Sequence, residues 1–170
     1  MKGKGDSRGS GPGEAWSEDD SAGFLDHGRY FVPERETQIA TICAAVPATA
    51  EPVHLVELCC GGGLLSRALL ERLPNAALHA FDGSPAMLKA AGRRCAAFGD
   101  RFAARAFDLA ARDWRAFPWP LHAALSSLAI HHLDGPQKRR LFKDIAAALA
   151  PGGVLAIADI VEPATAAGWG

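Results

Sequence analysis

The 170-residue sequence lacks the features that mark several classes of protein. Its formal net charge of −1 provides no basic surface, which argues against a nucleic-acid partner. No apolar run approaches the roughly 18 residues of a membrane-spanning helix, and the polar, glycine-rich N-terminus does not read as a signal peptide. The four cysteines form no C-x-x-C pair, so we expect reduced thiols and a cytoplasmic location. No cluster of histidine, cysteine and acidic residues has metal-ligand spacing, and we expect no metal site.

Composition divides the chain into four segments, at 1–15, 16–50, 51–163 and 164–170. The first is rich in glycine and poor in apolar residues, which predicts a disordered tail. The second has apolar clusters and a helical stretch from Pro33 to about Pro47, and we expect its helices to form a lid. The third is one core domain, as the length of the chain allows, and the last is a short tail.

The core domain alternates strands with helices. Apolar runs predict five strands, at about 54–58, 77–81, 102–107, 123–128 and 154–160. Helical spacing predicts helices at about 64–73, from Ser84 to Gly99, and from Asp134 until Pro151–Gly153 ends the last one. The last strand is almost continuously apolar, which is typical of parallel strands covered on both faces. The predicted fold class is therefore α/β, with a doubly wound, mostly parallel sheet of about five strands.

The most informative stretch is a glycine turn between strand one and the helix that follows. It reads Val56-Glu57-Leu58-Cys59-Cys60-Gly61-Gly62-Gly63, and strand two then ends on Asp82. Glycine permits positive φ in a tight turn and has no Cβ to block a ligand. A strand–turn–helix–strand unit with an acid at the tip of its second strand binds the adenosine half of a cofactor. The dinucleotide pattern G-x-G-x-x-G fits Gly61 and Gly63 but meets Ser66, so the turn alone leaves the cofactor open.

Further motifs follow in register along the other strands. They are Phe81-Asp82-Gly83-Ser84-Pro85-Ala86-Met87-Leu88, Asp108-Leu109, Ser126-Ser127-Leu128-Ala129-Ile130-His131-His132-Leu133 and Leu149-Ala150-Pro151-Gly152-Gly153. With Glu57, a carboxylate that needs partners inside an apolar strand, they make residues 20–163 resemble the class I S-adenosylmethionine-dependent methyltransferases of the small-molecule type. The resemblance implies a Rossmann-like methyltransferase fold, S-adenosyl-L-methionine as the cofactor, and a small-molecule methyl acceptor.

The resemblance also implies a role for individual residues. Glu57 would steady the turn and face the methionine ammonium group, Asp82 would accept both ribose hydroxyls, and Asp108 would accept from the adenine amino group. The segment 24–38 would fold over the cofactor as a lid. The other implied cofactor contacts are Cys59, Gly61 and Gly63 in the turn, Gly83, Ser84 and Met87 beside the adenine, the backbone of Leu109, Ser126 or Ser127 at the tip of strand four, and Arg29 and Tyr30 near the cofactor carboxylate.

The adjacent residues His131 and His132 leave three interpretations open. They are packing residues, metal ligands that lack further ligands at suitable spacing, or a general base, because histidine titrates near neutral pH. A hydroxyl acceptor would need such a base to remove its proton, whereas a carboxylate acceptor would not. The catalytic candidates of this sequence are therefore His131 and His132.

The sequence departs from the family pattern in three places, one of which is His122, where an aspartate often begins strand four. Cys59 stands for the first glycine of the turn, so the turn must tolerate a side chain. The family sheet carries two more strands after strand five, so we expect 154–161 to be an exposed apolar edge, open to self-association. Two alternatives stay open: a truncated fragment that binds the cofactor with little turnover, and a nicotinamide-dependent oxidoreductase, against which Glu57 and Ser66 count.

Overall fold

The computed structural model describes residues 17–49 and 51–161, apart from the side chains of residue 22 and residues 26–31. Its α-helices are α1 (Glu18–Phe31), α2 (Arg35–Ala45), α3 (Leu64–Arg72), α4 (Pro85–Cys95) and α5 (Gly135–Ala148). Its strands are β1 (Val53–Leu58), β2 (Ala76–Asp82), β3 (Phe102–Ala106), β4 (Leu121–Ser127) and β5 (Leu149–Ala158). Short 3-10 turns occupy Ala96–Arg101 and Ile130–His132. The predicted tails at 1–15 and 164–170 lie outside the described residues.

The strands form one parallel sheet with the order β3-β2-β1-β4-β5. This confirms the predicted doubly wound α/β class with about five strands. The chain adds strands outward from β1, first on the β2 side and then on the β4 side. The order of the strands therefore reverses between β1 and β4, although all strands are parallel. In open sheets of this kind, ligands bind at that switch point, beyond the carboxyl ends of the strands. The glycine turn and Asp82 both lie at that edge.

Helices cover both faces of the sheet because the side chains of β1 alternate between two apolar layers. Leu55 packs with the layer of α2 and α3, which includes Ile42 and Leu69. Val56 packs on the opposite face with the layer that includes Ile145 of α5. β1 is therefore buried on both sides, which explains its nearly continuous apolar sequence and makes the buried Glu57 exceptional.

Two helix starts follow local sequence rules. Ser84 accepts a hydrogen bond from the backbone N–H of Met87 at 3.1 Å, and a proline follows it at the first helical position. Asp134 accepts from the N–H of Gln137 at 2.6 Å and completes a capping box. Side-chain caps of this kind satisfy backbone donors that the first helical turn leaves unpaired. Both predicted starts are confirmed.

Other helix bounds agree less closely with the sequence pattern. α2 lies within the stretch predicted from Pro33 to Pro47, but α4 ends at Cys95, before the predicted end near Gly99. The chain there tightens into a 3-10 turn, in which Gly99 has a non-helical backbone. The sequence pattern predicts lid helices in the N-terminal segment but no bounds for α1.

Strand β5 begins earlier than the sequence predicts. The run Pro151–Gly153 predicts a helix end, yet β5 already begins at Leu149. Leu149 pairs with Leu121 of β4, and the register then jumps to Ala123 opposite Val154. A strand accommodates such extra residues as a bulge. The prediction fails because pairing with β4, a tertiary interaction, overrides the local signal of proline and glycine.

Among the described residues, β5 pairs with β4 and with no other strand. Ile157 is partly exposed on the strand, and Val161 just beyond it is 86% exposed. The structure therefore shows the apolar edge that the sequence predicts. Self-association through this edge stays a prediction.

The packing of α4 on the glycine turn leads to a stability prediction. A Cβ at Gly63 would lie 2.9 Å from the Cα of Ala91, and Gly63 has φ +78°. Gly63→Ala should therefore lower the free energy of unfolding by about 1–3 kcal/mol, since backbone must shift to admit a methyl group. Urea denaturation measures the change.

The matched control is Gly92→Ala in α4, where an added Cβ would meet no atom within 4 Å. Alanine favours a helix interior, so this variant should be more stable by about 0.5–1 kcal/mol. Equal free energies of unfolding for the two variants would contradict the packing role of Gly63.

Candidate functional site

The turn between β1 and α3 is held by backbone hydrogen bonds to the neighbouring strand. The N–H of Cys60 donates to the carbonyl of Phe81 at 2.9 Å, and the N–H of Gly63 donates to that of Cys60 at 3.0 Å. Cys59, which replaces a glycine of the motif, has φ +56°. It thus takes a glycine-like conformation, at a cost of about 1–3 kcal/mol. The turn therefore accommodates the Cys59 side chain in a backbone conformation that favours glycine.

Gly61 and Gly63 are needed in the turn for different physical reasons. Gly63 is required by α4, as its missing Cβ faces Ala91. A Cβ at Gly61 would meet only the Sδ of Met87, at 4.0 Å, so the space beside it is open to a ligand. The sequence pattern treats the two alike, whereas in the structure Gly61 has open space beside its backbone and Gly63 does not.

Asp82, at the end of β2, ties the turn to α4. Its Oδ2 accepts from the N–H of Gly61 at 2.8 Å, and its Oδ1 accepts from the N–H of Ser84 at 2.9 Å. The residue is 8% exposed; burial raises its pKa, while the backbone donors of Ser84, Gly61 and Gly83 oppose the rise. Each carboxylate oxygen can accept a second hydrogen bond. Asp82 therefore closes the turn, and each of its oxygens keeps the capacity to accept one more hydrogen bond.

Glu57 is buried below the turn, at 2% exposure, and has a specific partner. The hydroxyl of Ser66 in α3 donates to its Oε2. Burial raises the pKa of Glu57 to about 8, against the opposing effects of the Ser66 hydrogen bond and of nearby Arg35. Ser66, which breaks the dinucleotide pattern, is thus the partner that a carboxylate in this strand needs.

Arg35 is a site residue that the sequence analysis missed. It begins α2, and its Nη1 donates to the Oγ of Ser127 at the end of β4, at 2.5 Å. Burial lowers the pKa of Arg35, and the charge of Glu57 opposes this. An arginine near a helix start gives no local signal for a contact 92 residues away. The sequence assigns a cationic role to Arg29, which lies in α1 with Tyr30, and the side chains of both fall outside the described residues.

The two serines at the tip of β4 point in different directions. Ser126 is fully buried and donates from its Oγ to the carbonyl of Leu58 at 3.1 Å, which ties β4 to β1. Ser127 instead meets Arg35. Of the two serines that the sequence proposes, Ser127 is therefore placed toward the edge of the sheet, and Ser126 has a structural bond.

Helix α1 lies across the turn. The Cδ2 of Leu25 lies 2.8 Å from the point where a Cβ of Gly62 would stand. The Oε2 of Glu18 accepts from the N–H of Ala86 at the start of α4, at 3.3 Å. The N-terminal segment thus contacts the turn and the start of α4, and its role as a lid stays a prediction.

The predicted adenine side is formed by the ends of β2 and β3. The N–H of Phe107 donates to the carbonyl of Asp82 at 3.2 Å, which joins the segment just before Asp108 and Leu109 to the end of β2. Asp108 is exposed, and its Oδ1 accepts from the N–H of Ala110 at 2.8 Å, within a turn. Its carboxylate therefore has a local structural role as well as a free second oxygen. On the α4 side, Met87 and Ser84 are both buried.

His131 and His132 form the 3-10 turn after β4, with their ring centroids 4.1 Å apart. Asp159, just after β5, accepts from the backbone N–H of His131 at 3.0 Å and lies 2.6 Å from its Nδ1. Burial lowers the pKa of His132. The sequence analysis missed Asp159 because it falls inside the predicted strand at 154–160. Over residues 17–49 and 51–161, no group of three or more potential ligands could hold a metal ion.

The parallel sheet, its switch point and the glycine turn with Asp82 define a nucleoside-cofactor fold. Residues 55–153 match the family model described as a methyltransferase domain. The chain belongs to this methyltransferase family, which confirms the resemblance seen in the sequence.

Two curated relatives are similar in sequence. Trans-aconitate 2-methyltransferase of Methylobacterium nodulans is 35% identical over 128 residues, which are 75% of this chain and 45% of the relative. The enzyme of the same name from Acidovorax ebreus is 36% identical over 131 residues, with the same shares. The chain thus spans less than half the length of these relatives.

Solved structures share the fold. The DhpI–SAM–HEP complex superposes with a TM-score of 0.66 at 22% identity, covering 86% of this chain and 64% of that one. The N-methyltransferase NodS from Bradyrhizobium japonicum, in complex with S-adenosyl-L-homocysteine, gives 0.59 at 21% identity, covering 72% and 58%. These likenesses show a Rossmann-like methyltransferase fold.

The buried Glu57 leads to a prediction on pH and stability. Its pKa is about 8 in the folded chain against an ordinary value of 4.5, so the folded state binds a proton that the unfolded state has released between those values. The contribution of Glu57 to stability is therefore greatest below pH 4.5 and is lost as the pH rises through 8. Urea denaturation from pH 5 to 8.5 should show that wild type loses stability with pH relative to Glu57→Gln.

Glu51→Gln, at an exposed position, is the control and should follow wild type. Parallel curves of stability against pH for wild type and Glu57→Gln would contradict a pKa of Glu57 raised by burial.

Proposed function

We propose that this chain binds S-adenosyl-L-methionine at the carboxyl edge of β1, β2 and β4, and that it transfers the methyl group to a small molecule. One observation carries the proposal: at the switch point of the sheet, Asp82 bonds to the glycine turn, and the buried Glu57 lies near Arg35, which contacts the end of β4. When bound, the cofactor supplies a methyl group activated by its positive sulfur. The residues of the chain then have to bind it, orient the acceptor and exclude water.

Asp82 is proposed to hold the ribose. Its two oxygens already accept from Gly61 and Ser84, so the carboxylate is fixed in direction before a ligand arrives. A preorganised carboxylate loses little entropy when it accepts two more hydrogen bonds. Gly61 lets the cofactor approach the backbone there, because the atom nearest to the position of a Cβ is the Sδ of Met87, at 4.0 Å. The proposed adenine contacts are Gly83, Ser84, Met87, Asp108 and the backbone of Leu109.

Glu57 and Arg35 are proposed to recognise the amino-acid end of the cofactor. Burial favours the neutral form of Glu57, but an ammonium group beside it would favour the carboxylate and would itself be stabilised. Arg35 uses one of its five N–H donors on Ser127 and keeps others for the cofactor carboxylate. The two charges thus match an ammonium and a carboxylate on one ligand. Arg29 and Tyr30 remain proposed contacts of the lid.

A small-molecule acceptor is proposed because the curated relatives are named for trans-aconitate, a small carboxylate. Cofactor binding without turnover is the alternative, since the chain spans 45% of those relatives. The nicotinamide alternative is not favoured by the site, because Ser66 serves Glu57 in place of the third glycine of the dinucleotide pattern. Transfer of labelled methyl to a panel that includes trans-aconitate separates catalysis from binding alone.

The cytoplasmic location also remains a proposal. All four cysteines are unpaired in the structure, and burial raises the pKa of Cys59, Cys60 and Cys95, which keeps their thiols protonated and unreactive. This favours a reducing compartment. No helix in the described part of the chain has the length and apolar character to span a membrane.

A pair of ligands tests the assignments in the site. S-adenosylhomocysteine carries adenosine and the amino-acid end, whereas 5′-methylthioadenosine carries adenosine without the amino-acid end. Asp82→Ala should weaken both by about 1–3 kcal/mol, the range for hydrogen bonds to a charged acceptor. Arg35→Gln should weaken S-adenosylhomocysteine by a similar amount and leave 5′-methylthioadenosine unchanged. Isothermal titration calorimetry measures all four affinities.

Asp100→Ala is the control, since Asp100 is exposed in the 3-10 turn before β3 and should leave both affinities at the wild-type level. Wild-type affinity in Asp82→Ala would refute the ribose assignment. Equal losses for the two ligands in Arg35→Gln would refute the carboxylate assignment. No binding of S-adenosylhomocysteine by folded wild type would overturn the proposed function as a whole.

A further inference from the structure

We propose that Asp159 holds His131 in the orientation and tautomer of a general base, and that His131 receives the proton of a hydroxyl or amine acceptor during methyl transfer. The inference rests on the proposed function and adds the class of acceptor. It comes from a contact between two strand ends that neither the family match nor the relatives assign.

Asp159 contacts His131 at two points, one on its backbone and one on its ring. Its Oδ2 accepts from the backbone N–H of His131 at 3.0 Å, and its Oδ1 lies 2.6 Å from Nδ1 of the ring. The same Oδ1 also accepts from the N–H of Ile160 at 2.8 Å. Two backbone donors therefore fix the carboxylate, and the carboxylate fixes the ring.

This geometry determines which ring nitrogen is basic. An ionised carboxylate can only accept, so the proton between Oδ1 and Nδ1 belongs to Nδ1. In a neutral imidazole, Nε2 then carries the free electron pair. The side chain of His131 is 28% exposed, against 10% for Asp159, so solvent or an acceptor can reach the ring while the carboxylate stays shielded. The charge of Asp159 would also stabilise the imidazolium that forms when Nε2 takes a proton.

The pair lies at the same edge of the sheet as the proposed cofactor site. Its two residues follow the adjacent parallel strands β4 and β5, which a hydrogen bond of 2.8 Å from Leu128 N–H to the carbonyl of Ala158 joins at their ends. The charge of Asp159 also contributes to the raised pKa of Cys59, so the carboxylate lies near the glycine turn. A base at this place lies at the same end of the sheet as the proposed site of methyl transfer.

The proposed step balances as follows. The methyl group moves from the sulfonium sulfur of S-adenosylmethionine to the oxygen or nitrogen of the acceptor, and the electron pair of the broken S–C bond stays on sulfur. The O–H or N–H proton of the acceptor goes to Nε2 of His131 and then to water. A carboxylate acceptor has no such proton at neutral pH and does not need the pair, whereas a hydroxyl or amine acceptor does. Asp159 acts through His131 and is a positioning residue.

The tautomer of His131 tests the proposal without any acceptor. In nitrogen-15-labelled protein at pH 8, NMR should show Nδ1 protonated and Nε2 unprotonated in wild type. Asp159→Asn can still accept from the backbone but can offer an N–H to Nδ1, so Nε2 should become protonated. Asp100→Asn is the matched control and should keep the wild-type tautomer. The spectrum of His131→Gln identifies the signals of His131, and a folded-state spectrum with S-adenosylhomocysteine affinity near wild type shows that Asp159→Asn remains intact.

Labelled methyl transfer to catechol and to trans-aconitate then tests the role of the base. Activity on catechol should fall by about 100-fold in Asp159→Asn, within the range for loss of a general base. Protonated Nε2 in wild type, or an unchanged tautomer in Asp159→Asn, would overturn the proposal, and so would transfer to trans-aconitate but not to catechol. The proposed function fails separately, when wild type with the expected tautomer does not bind S-adenosylhomocysteine.

Discussion

The hydrogen bond from the N–H of Gly61 to Asp82 is the contact on which the rest of the site depends. It joins the turn after β1 to the end of β2 at 2.8 Å, and the second oxygen of Asp82 holds Ser84 at the start of α4. One carboxylate thereby sets the positions of the glycine turn, of α4 and of the strand end between them. An ionised acceptor makes such bonds stronger than neutral ones, so the arrangement is firm before any ligand arrives. Gly63, which lets α4 approach the turn, makes the same arrangement possible from the other side.

Glu57 is buried below this contact, and the chain alone does not fully stabilise its charged form. Glu57 has Ser66 as a hydrogen-bond partner and Arg35 as a nearby opposite charge, yet burial still favours its neutral form. Arg35 reaches the site from α2 by its bond to Ser127, so the N-terminal segment takes part in the same electrostatic balance. A ligand with an ammonium group would shift that balance toward the carboxylate. Recognition of the amino-acid end of the proposed cofactor and docking of the N-terminal helices would therefore be coupled.

The sequence predicts the elements whose causes are local. Apolar runs locate the five strands, and caps at Ser84 and Asp134 locate two helix starts, because strands and caps depend on a few neighbouring residues. What it does not predict depends on pairing between distant segments. β5 absorbs a proline–glycine run through its register with β4, and Arg35 meets Ser127 from 92 residues away. The pattern also places the glycine turn and Asp82 at the site, but only the packing of Ala91 separates the role of Gly63 from that of Gly61.

Backbone strain marks the same edge of the sheet independently of any motif. Among the described residues, the non-glycine residues with positive φ are Glu34 at 53°, Cys59 at 56° and Leu128 at 58°. Glu34 precedes Arg35, Cys59 opens the glycine turn, and Leu128 follows Ser127. Each such residue costs about 1–3 kcal/mol and persists only where surrounding contacts enforce it. The presence of this strain beside the turn, Arg35 and the end of β4 supports these segments as one site.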